Sequence, residues 1–151
     1  MNTTILTFRL SLLLVAAALA PISAQGAPTD TPLMVSRDSG GSINKESVKV
    51  VKLLSKMAKR NGHVRLWVTL DMPFDPFLAS KSEQAAAAQQ ARVDGVFDEV
   101  LNPLLDSGQI RYVNGRRVYS GPSVLLMATE NGLSLLVRDQ RVGQLVGVRE
   151  Q

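Results

Sequence analysis

Cysteine is absent from this chain of 151 residues, and several chemistries go with it. No disulfide can staple the fold, so stability must come from packing alone. Thiol catalysis, iron–sulfur clusters and thiolate zinc sites are excluded. Histidine is nearly as scarce: His63, beside Gly62 at a turn, is the only one. A Ser-His-Asp triad would need that ring against a nucleophilic serine, and no Gly-x-Ser-x-Gly elbow occurs. No histidine pair or histidine–carboxylate cluster has ligand spacing, so no metal is expected. Gly40-Gly41 and Asn131-Gly132 lack the strand, lysine and helix order of a phosphate loop. Asp71 and Asp75 flank a Pro-Phe loop and read as partners of loop amides, not as a catalytic carboxylate pair. No catalytic residue and no cofactor is assigned, and an enzyme is not expected.

Long apolar runs are missing too. Leu10 to Ala20 covers 11 residues, too few to span a bilayer. With Arg9 before it and small residues leading to Ala24 or Gly26, residues 1–24 read as a secretory signal peptide. The expected location is therefore periplasmic or extracellular, where nucleic acid is a poor partner. The formal charge of +4 is a mild excess, placed before residue 66 and around Arg111, Arg116 and Arg117. It permits an acidic partner without demanding one.

Residues 25–43 carry Pro28, Pro32, Gly40 and Gly41 without apolar periodicity and read as a flexible N-terminus. Residues 44–62 turn helical. At 100° per residue, Lys45, Lys49, Lys52, Lys56, Lys59 and Arg60 fall within about 20° to 120°, and the apolar residues within about 140° to 300°. Ser42 or Asn44 can cap this helix and Asn61-Gly62 can stop it. Its apolar side lacks the Trp or Phe that interfacial helices favour, so docking on the rest of the protein is expected and membrane contact is not.

Residues 63–151 form the main domain. Val64, Leu66, Val68 and Leu70 alternate with Arg65, Trp67 and Thr69, the period of a half-buried strand. A helix then starts at Ser80 or Ser82 and reaches about Asp106, where Pro103 should kink or shorten it. Ile110–Val113 and Val118–Tyr119 flank the tight-turn dipeptide Asn114-Gly115, with a hairpin or a long loop both open. An apolar strand at 123–128, a helix capped by Thr129 and a strand at 142–146 complete the order strand, helix, strand, strand, helix, strand. This predicts an α+β, ferredoxin-like βαββαβ fold: a four-stranded antiparallel sheet with two helices on one face, plus the N-terminal helix. Strand parity puts Arg65, Trp67 and Thr69 on the uncovered face. An uncovered tryptophan there is a candidate anchor for a protein partner.

From Val64 to Val148 this ordered set resembles the prodomains of subtilisin-like serine proteases, the subtilisin-propeptide-like inhibitor family. The resemblance implies a sheet face laid against the protease and a C-terminal tail entering its active-site cleft like a cleaved product. The matching tail is Val148, Arg149, Glu150 and Gln151, with Arg65, Trp67 and Thr69 on the matching face. No protease domain follows, so the implied role is a free-standing inhibitor or folding helper, expected as a monomer. The tail departs from the pattern, because polar Gln151 and acidic Glu150 stand where many such proteases favour an apolar end. The alternatives are a non-inhibitory periplasmic interaction module on the same face, or a membrane-surface protein using the 44–60 helix.

Overall fold

A computed structural model describes residues 32–38 and 40–148. Among these residues the fold is α+β, with one antiparallel sheet and four helices. Six strands are present where four were expected, ordered β1-β6-β2-β5-β3, with β4 also paired to β5. Their ranges are β1 Leu33–Ser36, β2 Val64–Leu70, β3 Ile110–Tyr112, β4 Val118–Ser120, β5 Ser123–Ala128 and β6 Val142–Gly147. The helices are α1 Lys45–Asn61, the single turn α2 Leu78–Lys81, α3 Glu83–Asp106 and α4 Glu130–Arg138.

Within the stretch 25–43, read as flexible, Leu33–Ser36 forms the first extra strand, whereas residues 25–31 and 39 lie outside the described residues. Leu33–Ser36 pairs along the outer edge of β6, with Leu33 opposite Gly147 and Ser36 opposite Gln144. Two side chains hold it there. The Ser36 N–H donates to Ser47 Oγ at 3.0 Å and that hydroxyl donates back to the Ser36 carbonyl at 3.1 Å. Arg37 donates to the carbonyls of Gly41, Val137, Asp139 and Val142 at 2.6–3.0 Å.

The second extra strand comes from the Asn114-Gly115 turn. It does not fold β3 onto β4. A 3-10 turn at Val113–Gly115, with both Asn114 and Gly115 at positive φ, carries the chain out and back. Ile110–Tyr112 and Val118–Ser120 then lie along the same edge of β5. A tight Asn-Gly hairpin would pair the two strands directly across that dipeptide. Here the loop only interrupts one lane of the sheet.

Helix ends follow their local chemistry. Asn44, Ser82 and Thr129 accept the N–H groups of Ser47, Ala85 and Gly132, satisfying first-turn donors. Gly62, at φ 79°, ends α1 in the left-handed conformation that costs glycine least. Pro103 does not shorten α3, which runs on to Asp106. Its missing N–H forfeits one bond to the carbonyl four residues back, but only three helical residues follow it, so the cost stays local.

All three longer helices cover one side of the sheet. Leu54 and Ala58 of α1, Val93, Phe97 and Leu101 of α3, and Leu133 and Leu136 of α4 join Val64, Leu66, Val68 and Leu70 in one buried cluster. Helix α1 therefore belongs to the domain, on the helix side beside β1 and α4. Full burial of each Leu, Val or Phe contributes about 1.5–3 kcal/mol, the main source of stability in a chain without disulfides. At the end of β2 the register with β6 shifts by one residue around Gly143. That bulge lets both Val142 and Leu145 face the core despite their odd spacing.

Candidate functional site

The other face of the sheet is ordered by register. Residues directly opposite in antiparallel strands project to the same side, so the strand register assigns each row. Trp67 lies opposite Leu125 on β5 and Val146 on β6. Val146 in turn faces Met34 on β1, and Leu125 faces Val118 on β4. One apolar row, Met34–Val146–Trp67–Leu125–Val118, thus crosses five strands. Its ends are its most open parts, Met34 at 43% and Val118 at 42% exposure. Trp67 itself is half-buried, flanked by Leu125 and Val146, and so is less open than parity alone implied.

On one side of this row lies a polar one: Ser36, Gln144, Thr69, Ser123 and Ser120. Thr69 Oγ1 and Ser123 Oγ share a hydrogen bond of 2.8 Å across it. On the other side lie Arg65, Met127 and Arg111, a basic and sulfur-bearing row. The Arg65 carbonyl accepts from the Val148 N–H at 2.9 Å, so the chain leaves the sheet beside this basic end. An open groove of about 500 Å³, lined by Leu33, Met57, Arg60, His63, Arg65 and Val148 among others, adjoins that exit. None of the three longer helices packs on this face.

Arg65, Trp67 and Thr69 therefore share one face, as their alternation implies. Of the tail, Val148 is described and half-buried, whereas Arg149, Glu150 and Gln151 lie outside the described residues. The signal-peptide reading of 1–24 lies outside them as well. Sequence reasoning missed Met34, Val118, Leu125 and Val146. The apolar run at 123–128 shows a strand but not which of its faces is open, and β1 and β4 are too short to show a period.

Titratable groups near the sheet are perturbed, Tyr119 and Asp139 among them. The Arg117 guanidinium lies over both Phe97 and Tyr119, 5.4 and 4.7 Å from ring centres that are themselves 6.0 Å apart, and donates to Asp98 at 2.8 Å. Burial pushes the Tyr119 hydroxyl up to about 12, opposed by the Arg117 charge and reinforced by Asp94. Asp139 is held below its ordinary value by its hydrogen bond to Arg141, against the opposing effect of burial. Both arrangements tie elements to α3, Arg117 through Asp98 and Arg141 through Glu99 at 3.1 Å. Among the described residues no group of three His, Asp or Glu side chains could hold a metal ion. Chemically, the face offers an apolar strip between a hydroxyl row and a basic row, which suits contact with another protein's surface. No protein family, curated protein or solved structure matches this chain.

Proposed function

We propose that the protein binds a subtilisin-like serine protease through this open sheet face and slows it with the tail that follows Val148. The observation that carries the reading is the apolar row centred on Trp67, on a face left open by the three longer helices among the described residues and close to where the chain leaves β6. Tryptophan is enriched among residues that dominate binding energy, and a rim of polar groups around it excludes water. An extended tail would add main-chain hydrogen bonds to a substrate-binding strand, and the rigid domain behind it would slow dissociation. The strand order β6-β2-β5-β3, with α3 and α4 as crossings, supports a ferredoxin-like core to which β1, α1 and β4 are added. The same body serves inhibition or assisted folding of the protease. A non-inhibitory interaction module would use the same row without the tail.

The test is a progress curve of a subtilisin-like protease at micromolar protein. Removing Arg149–Gln151 is expected to abolish inhibition without lowering thermal stability, because those residues follow the last sheet hydrogen bond. Trp67→Ala is expected to weaken binding by about 2 kcal/mol or more. Absence of inhibition by the intact protein would overturn the reading. Binding that survives tail removal unchanged would point to the interaction module.

A further inference from the structure

The helix layer carries a second surface on the opposite side of the molecule from the Trp67 row. Helix α1 presents Lys45, Lys49, Lys52, Lys56, Lys59 and Arg60 along one exposed stripe, against Glu46 as the helix's single acid. Over 17 residues this stripe is roughly 25 Å long at 1.5 Å per residue. Lys49 meets Glu46 at 2.9 Å, and Lys45, Lys52, Lys56 and Lys59 have no ion pair among the described residues. Among the described residues Arg60 donates to the neighbouring Asn61 side chain. Such unneutralised charge repels itself, and nothing in the packing requires it. Val48 and Leu53 border the stripe on its two sides and are 42% and 44% exposed.

We propose that this stripe adsorbs the protein onto an anionic lipid surface. Insertion is not the mode, because the helix's apolar side is already used: Leu54 and Ala58 are buried in the core. What remains is electrostatic attraction, with Val48 and Leu53 reaching the headgroup layer beside the lysines. A convex row of ammonium groups matches a broad plane of negative headgroups better than a cleft-like binding site. The export route expected from Leu10–Ala20 brings the chain to a membrane surface. Adsorption by α1 leaves the Trp67 row facing away from the bilayer and free for a protein. The inference does not depend on the protease reading.

The full chain is titrated with vesicles of phosphatidylcholine alone and with vesicles containing phosphatidylglycerol. Both accept the apolar leader, so the readout is the ratio of the two affinities. Binding to the anionic vesicles is expected to be about tenfold or more tighter, since each near-surface lysine contributes roughly fivefold. Raising salt toward about 1 M, where the screening length falls to about 3 Å, should erase the difference. The triple variant Lys49→Glu, Lys52→Glu, Lys56→Glu should erase it too, and the same positions changed to Gln should reduce it, with circular dichroism confirming the fold. Trp67→Ala should leave it unchanged. Equal affinity for both vesicles overturns the proposal. Tighter binding to polyglutamate than to anionic vesicles also overturns it, in favour of an acidic protein partner.

Discussion

Arg37 shows what a single residue can organise. Its guanidinium reaches Val137, Asp139 and Val142, carbonyls 100 to 105 positions away, besides Gly41 nearby. Those carbonyls belong to the end of α4 and the start of β6, so one side chain ties the first strand to the last turn. Positive charge at a helix C-terminus adds a favourable dipole contribution. Arg37→Ala is expected to lower stability by about 2 kcal/mol or more, as hydrogen bonds from a charged group are worth about 1.5–3 kcal/mol each. Arg37→Lys should recover little, because one ammonium cannot reproduce a planar fork of donors. Urea denaturation of the three proteins checks this, and full recovery by lysine would contradict it. The residue was not legible in sequence, since its partners lie at the far end of the chain. Trp67 was legible, because strand parity is a local property.

Among elements, the caps and the long periodic segments were readable: Asn44, Ser82 and Thr129 start helices where their side chains predict. The short ones were not. Strands β1, β3 and β4 hold three or four residues each, less than two full alternations, and gain their structure from β5 and β6. Strand β4 is held from the other side by α3, through the Phe97–Tyr119 ring contact and Arg117 lying over both rings. The Tyr119 hydroxyl, pushed up to about 12 chiefly by burial, titrates above the ordinary tyrosine value of 10.0. A raised value means the folded state disfavours the phenolate. The contribution to stability is therefore complete below pH 10 and is lost as pH rises toward about 12. Tyr119→Phe should show a shallower loss of stability than the parent over that window, measured by urea midpoints at successive pH values. Identical slopes would place Tyr119 in an ordinary solvated environment.

At the scale of the whole molecule, a boundary drawn at His63 divides one core. Sequence alone separates 44–62 from 63–151, because α1 has its own caps and its own periodicity. The packing joins them: Val35, Leu54 and Ala58 are buried against β2, β6 and α4, and Gly147 sits so close to Leu54 that a methyl group there would strike it. A chain starting at His63 would expose Leu145, Leu133 and Leu136 and lose the β1 lane of the sheet. At about 1.5–3 kcal/mol for each large apolar side chain, losing Val35 and Leu54 alone removes several kcal/mol, before their uncovered partners are counted. A domain of this size holds only about 5–15 kcal/mol in total, and no disulfide is present to offset the loss. The 63–151 fragment is therefore expected to lack a cooperative thermal transition and to bind a hydrophobic dye, whereas the chain from Thr31 onward should melt cooperatively. If the shorter fragment melts as sharply as the longer one, the helix layer is divisible and α1 is an appendage.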